Sequence, residues 1–221
     1  MRTKTLALTA ILGVASIAAA LAQSTPVYSV NVVGFVKLSL PKGFSMIANP
    51  LNAATNDLNT IIPTAPDGSS IMKWEGTKFG SPDTYYEGVG WLDSDLNPSK
   101  TTLNPGEGAF IQLPSATEVV FVGEVPQGTL TREIPKGFSI VSQLTPQKIS
   151  LDDADFPAAD GDAIMFWDNA SGKYTTPYSY FEGVGWLDAD LNPVTITPEI
   201  GQSFFVQKTA GKTWTRTFTV Q

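Results

Sequence analysis

Two acidic loops hold the most suggestive chemistry in the sequence. Asp93, Asp95 and Asn97 stand at alternate positions, and Asp188, Asp190 and Asn192 repeat the pattern. Alternating oxygen side chains open the calcium loops of helix–loop–helix proteins, because Ca²⁺ takes roughly six to eight hard oxygens. Such a loop has glycine at its sixth position, where this chain has Pro98 and Pro193. A glutamate at the twelfth is Asn104 in the first copy and Glu199 in the second. The competing reading is a polar loop whose Asp and Asn side chains bond nearby backbone N–H groups. Calcium is the one cofactor the sequence allows for, and these six residues are its candidate ligands.

A second constellation is aromatic. One half of the chain holds Trp74, Tyr85, Tyr86 and Trp91; the other holds Trp167, Tyr174, Tyr178, Tyr180, Phe181 and Trp186. Rings beside carboxylates and amides suit a sugar cleft, in which the ring covers C–H faces and the polar groups take hydroxyls. The same rings also fill cores. Trp74 and Trp167 sit in apolar runs and are expected inside. Trp91 and Trp186 follow Gly-Val-Gly and precede the acidic loops, so they are the candidate ligand platforms, with Tyr86 and Phe181 beside them.

Carboxylate pairs such as Glu87 with Asp93, or Glu182 with Asp188, could in principle serve a glycosidase at a separation of about 5–9 Å. Acids in glycine-rich loops are common for turn reasons, so a glycosidase ranks last. The chain has no His and no Cys. That excludes Ser-His-Asp and Cys-His catalysis, most zinc and copper sites, and iron–sulfur clusters. No catalytic residue is assigned, and the expectation is a protein that is not an enzyme.

The elements that must position these residues come in two copies. Glu87-Gly-Val-Gly-Trp-Leu-Asp-Ser-Asp-Leu-Asn-Pro98 returns as Glu182-Gly-Val-Gly-Trp-Leu-Asp-Ala-Asp-Leu-Asn-Pro193. Leu40-Pro-Lys-Gly-Phe-Ser45 returns from Ile134, Asp67-Gly68 from Asp160, Ile71-Met-Lys-Trp74 from Ile164, and Gly106-Glu-Gly-Ala-Phe110 from Gly201. In chain order the offsets are 94, 93, 93, 95 and 95. Spacing this steady means that a whole module is duplicated. The modules run over residues 30–124 and 125–221, with no Gly/Ser-rich linker between them, so they should pack together.

Each module reads as short strands between turn residues. Residues 30–40, 44–48, 70–75, 109–113 and 118–122 are rich in β-branched and aromatic types. Residues 75–78 and 169–173 read as hairpin turns, and 88–90 as a turn rather than a phosphate loop. Gly106 and Gly108 are placed to supply positive φ or close strand approach. Residues 55–62 allow one or two helical turns after a Thr or Asn cap. The fold class expected is all-β, two tandem homologous sandwich or barrel-like modules packed together, with little helix.

The first 22 residues have the order of a secretory signal: Arg2 and Lys4, an uncharged apolar run over residues 6–21, and Ala20-Leu-Ala22. Cleavage after Ala22 leaves 199 residues, with a flexible lead-in expected over 23–29. Losing Arg2 and Lys4 takes the 14 basic residues to 12 against 21 acidic ones, a net charge of −9. An acidic surface repels phosphate backbones, so nucleic acid is not an expected partner. No membrane insertion is expected after cleavage, and the location expected is extracellular or at the cell surface.

Val27-Tyr-Ser-Val-Asn-Val-Val-Gly-Phe35, Leu103-Asn-Pro-Gly-Glu-Gly-Ala-Phe110, Phe121-Val-Gly-Glu-Val-Pro-Gln-Gly128 and Trp214-Thr-Arg-Thr-Phe218 resemble an uncharacterised family of exported β-repeat proteins from Verrucomicrobia-type bacteria. The resemblance spans nearly the whole mature chain. It implies export and a duplicated β architecture, and no substrate or catalytic residue. The function expected first is a non-enzymatic extracellular structural protein that assembles with itself, residues 30–40 adding to a neighbour's sheet edge. The alternative is a carbohydrate-binding protein whose partner is an extracellular polysaccharide.

Overall fold

Alternation of side chains sets the first strand. β1 (Val33–Leu40) sends Val36, Leu38 and Leu40 inward and leaves Val33, Phe35 and Lys37 outside. That is the period of two of a half-buried strand. A computed structural model of the chain describes residues 32–220; the signal segment expected over 1–22 and the lead-in expected over 23–29 lie outside the described residues.

The first module continues with β2 (Gly43–Ile47), α1 (Leu58–Ile61), β3 (Ser70–Met72), β4 (Asp83–Tyr86), β5 (Gly90–Leu92), β6 (Ala109–Leu113) and β7 (Thr117–Glu124). The second holds β8 (Gly128–Ile134), β9 (Gly137–Ser142), β10 (Ala163–Met165), β11 (Trp167–Asp168), β12 (Lys173–Tyr174), β13 (Tyr178–Phe181), β14 (Gly185–Leu187), β15 (Ser203–Lys208) and β16 (Lys212–Phe218).

Both modules have the same topology. β1 pairs with β7 as a ribbon, and β2-β6-β3-β4-β5 form an antiparallel sheet; β8 pairs with β16, and β9-β15-β10-β13-β14 form the second sheet. The ribbon lies over one face of its sheet. In the first module Val119 and Phe121 pack on Ile71, Ile111 and Leu113. In the second Ile134 and Trp214 pack with Ile164, Phe204 and Val206. Among the described residues no sheet closes into a barrel, so of the two β architectures expected the sandwich is the one formed. The one helical turn among the described residues, α1, is capped by Asp57, whose carboxylate accepts from the Thr60 N–H at 3.1 Å. Sequence pattern points to Thr or Asn there; the Asp57 carboxylate fills the same role.

Residues 32–220 belong to one compact unit, and the modules meet through reciprocal contacts. Ile47 bridges Gln202, and Val141 bridges Glu107. The Ala48 N–H donates to the Gly201 carbonyl at 2.8 Å, and the Ser142 N–H to the Gly106 carbonyl at 3.1 Å. At repeat offsets of 94 and 95 these are the same contacts read in both directions. The modules are thus related by a local two-fold axis, as in an isologous dimer. Close to that axis Gly108 faces its own counterpart: a Cβ there would lie 2.4 Å from Ile140 Cγ2 and from Ser203 Cβ. Gly106, at φ +86°, makes the turn that leads into this contact.

Candidate functional site

Each sheet has a second face, away from its ribbon, and on that face runs one apolar row. Met46, Phe110 and Met72 are cross-strand neighbours on β2, β6 and β3. Ile140, Phe205 and Met165 are their counterparts on β9, β15 and β10. These rows join across the local two-fold axis into one cluster with Trp74, Phe79 and Trp167 packed against it. The hairpin over residues 74–79 carries Trp74 opposite Phe79, and the β11–β12 hairpin carries Trp167 opposite Tyr174.

Rings interlock edge to face across the axis. Trp74 meets Phe205 at 5.0 Å and 74°, and Trp167 meets Phe110 at 5.1 Å and 90°. Each indole N–H is already bonded across the boundary. Trp74 Nε1 donates to the Phe138 carbonyl at 2.8 Å, and Trp167 Nε1 to the Phe44 carbonyl at 2.9 Å. What stays open is a pair of hollows. One, roughly 260 Å³, is lined by Trp74, Phe79, Phe138, Met165, Tyr174 and Phe205. The other, roughly 320 Å³, is lined by Trp167, Tyr174, Phe44, Met72, Phe79 and Phe110. Residue by residue the second lining is the first carried through the repeat, and Phe79 and Tyr174 form the shared wall. Burial pushes the Tyr174 phenol up to about 12, which keeps it neutral.

One polar cluster joins the modules beside this surface. Glu107 holds Lys73 Nζ at 2.9 Å and Arg132 Nη1 at 3.1 Å, and it accepts from the Asn104 N–H at 2.8 Å. Burial alone would raise the Glu107 carboxyl; the Asn104 N–H and the two cations outweigh it and hold the group below its ordinary value.

Trp91 and Trp186, the rings expected to face a ligand, are in the cores. Trp91 is 0% exposed and Trp186 2%. The cause is β5 and β14, edge strands whose middle residue points under the ribbon. Trp91 donates its indole N–H to the Ile62 carbonyl at 2.7 Å, leaving it no face or donor for a sugar. Trp74 and Trp167, expected inside, are partly buried, packed against the apolar cluster at the module boundary. Their strands are apolar because of a contact between modules, which a single-module reading cannot supply. Tyr86 and Phe181 are exposed at 38% and 40%, at the ends of β4 and β13.

The acidic loops close on themselves. Asp93 Oδ1 accepts from the Asp95 N–H at 3.0 Å and the Asn97 N–H at 2.9 Å. Asp188 Oδ1 accepts from the Asp190 and Asn192 N–H groups, each at 2.9 Å. The Asn192 N–H is the main reason the Asp188 carboxyl lies below its ordinary value. Leu96 and Leu191 sit at φ +61° and +62° in these turns. The alternating oxygens thus serve the backbone of their own loop, and no group of three or more acids able to hold a metal ion occurs among the described residues. Glu87 and Glu182, the other halves of the suggested acid pairs, are exposed, and their N–H groups donate to Asp67 and Asp160.

Two further features escaped sequence reading. Lys208 and Asp162 form an ion pair, both side chains 0% exposed, with the ammonium 5.4 Å above the Phe156 ring. The repeat holds Leu113 and Ser69 at those places, so only a comparison of the copies would have flagged it. A groove of roughly 590 Å³ runs past Phe166, Tyr178, Thr195, Thr197, Glu199 and Gln202. Comparison with protein-family models, with curated proteins and with solved structures gave no match.

Proposed function

We propose that this chain is an exported, non-enzymatic structural protein that assembles with copies of itself through the β1–β7 ribbon. The observation that carries the reading is a difference between the two ribbons. On the outer face of the first, Val33 and Phe35 are 66% and 74% exposed, and Val120 and Val122 are 42% and 57% exposed. Phe35 and Val122 are direct cross-strand partners. Their counterparts in the second ribbon are Thr129 and Thr217, also partners, and Val120 is replaced by Thr215. One ribbon keeps an apolar outer face at solvent, and its duplicate does not. Apolar patches of this kind mark association surfaces. Among the described residues no backbone hydrogen bond joins the other edge of β1 to a further strand, which leaves a template for pairing.

The test is sedimentation velocity and electron microscopy on residues 23–221. Oligomers or filaments are expected, and Phe35→Thr with Val122→Thr, which copies the second ribbon, should reduce them to monomers. A mature chain that stays monomeric at high concentration sinks the reading.

A second reading, carbohydrate binding, draws support from the groove beside Phe166 and Tyr178. It combines two half-buried rings with hydroxyl, carboxylate and amide groups, the mixture a sugar site uses. Retention on immobilised polysaccharide that disappears in Tyr178→Ala with Gln202→Ala would support it. Retention unchanged in that variant would count against this groove.

A further inference from the structure

We infer that the paired hollows at the module boundary are the socket into which the β1–β7 ribbon of a second copy docks. The inference rests on the self-assembly reading above and names the surface that receives the ribbon.

Chemistry selects the kind of occupant. Both hollows are walled almost wholly by aromatic rings and methionine, and the two indole N–H groups that could greet a polar ligand are already bonded to the Phe138 and Phe44 carbonyls. An occupant must therefore bring apolar side chains. The same chain carries such a surface, with Phe35 and Val122 standing out side by side.

Charge permits a second copy at these two surfaces. The sequence is acidic, with a net charge of −7, so copies repel over most of their surface. Both patches carry charges of each sign, with Glu124 a further exposed acid on the ribbon. Lys37 and Glu118 pair at 2.6 Å on the ribbon. Each hairpin beside the hollows offers one acid and one base, Glu75 with Lys78 and Asp168 with Lys173, all exposed. Opposite charges can therefore meet around the apolar contact in either direction.

Placement decides the kind of assembly. The ribbon covers one face of the first sheet, and the hollows lie on the other. Knob and socket are different surfaces, set on different faces of the sheet, so the contact is heterologous and propagates head to tail. The second ribbon, faced with threonine, does not compete, so each copy offers one knob.

Two variants of the mature chain test this: Phe35→Asp, which spoils the knob, and Tyr174→Asp, which spoils the shared wall of the socket at a site 37% exposed. Each alone should be monomeric by sedimentation velocity. Mixed one to one, they should form a single heterodimer that grows no further. Docking should also shift tryptophan emission to the blue and reduce acrylamide quenching, since Trp74 and Trp167 are only partly buried while Trp91, Trp186 and Trp214 are buried. If Tyr174→Asp lowers the melting temperature, Phe44→Ser with Phe138→Ser replaces it. Assembly by the socket variant at the wild-type level, with the ribbon variant monomeric, overturns the socket and leaves ribbon-edge assembly standing. A mixture that stays monomeric also overturns it. A monomeric wild type overturns both readings.

Discussion

Trp74 reaches across the module boundary to Phe138, its indole N–H donating to the backbone carbonyl at 2.8 Å. Trp167 makes the same bond to Phe44 in the opposite direction at 2.9 Å. Two bonds, one per module, fix the hairpins against the neighbouring edge strands. Trp74→Phe keeps a ring in the cluster and removes the donor. It should cost about 1 kcal/mol in urea unfolding, with Trp167→Phe costing a similar amount. No loss in either variant would show that the bonds are exchanged for water without consequence.

Gly108→Ala should be far more damaging than its size suggests. The new methyl would lie 2.4 Å from both Ile140 and Ser203, atoms of the partner module that cannot retreat without moving β9 or β15. Overpacking of this kind costs about 1–3 kcal/mol. Gly76→Ala serves as the comparison, because nothing lies within 4 Å of its Cβ and only its φ of +94° resists the change. Equal melting temperatures for Gly108→Ala and wild type would contradict the close approach.

Glu107 makes the boundary sensitive to acid. Its carboxyl titrates lower in the folded chain than in the unfolded one. Its contribution is therefore complete above the unfolded value of about 4.3 and is lost as pH falls through the folded value. Glu107→Gln should flatten the acid limb of the stability curve and lower stability at neutral pH, where Lys73 and Arg132 lose their anion. An unchanged acid limb would assign acid sensitivity to other carboxylates.

Lys208 and Asp162 should behave as a unit. Lys208→Leu alone leaves a buried carboxylate without its cation and should cost about 3–5 kcal/mol. Lys208→Leu with Asp162→Ser reproduces the pair Leu113 and Ser69 of the first module. It should recover most of the loss, read as a positive coupling in a double-mutant cycle. Strict additivity would show that the two side chains do not depend on each other.

The two buried indoles should respond unequally. Trp91 has a partner for its N–H at 2.7 Å, whereas Trp186 Nε1 is buried with none among the described residues. Trp91→Phe should be the more destabilising of the two substitutions, because only there is a hydrogen bond lost and the Ile62 carbonyl left behind. Calorimetry on the pair decides it, and the reverse order would contradict the assignment.

Much of this architecture is legible in the chain because the repeat is. Offsets of 93–95 residues carry β1 onto β8 and β6 onto β15, and the turn residues at 75–78 and 169–173 mark both hairpins. The β4 and β5 strands were not legible: Tyr85, Tyr86 and Trp91 alternate over too few residues to separate a strand from a loop. The fate of the tryptophans was hidden for another reason. Gly-Val-Gly before Trp91 is the turn it reads as, but it closes a β hairpin that returns Trp91 to the core instead of presenting it to solvent. Trp74 reads as a core residue of one module, and the surface it helps to build exists only once two modules meet.

The local two-fold axis is crossed by a single continuous chain, and that frees it from a rule that binds identical subunits. In a pair of identical proteins every substitution at the axis arrives twice, so both halves must accept it. Here the Lys73, Glu107 and Arg132 cluster on one side corresponds to Phe166, Gln202 and Leu38 on the other. Likewise Phe35 and Val122 face outward where Thr129 and Thr217 do in the copy. Within one chain, Lys73 and Glu107 with an apolar exterior stand in the first half where Phe166 and Gln202 with a threonine exterior stand in the second. The molecule has the frame of a symmetric object and the polarity of an arrow.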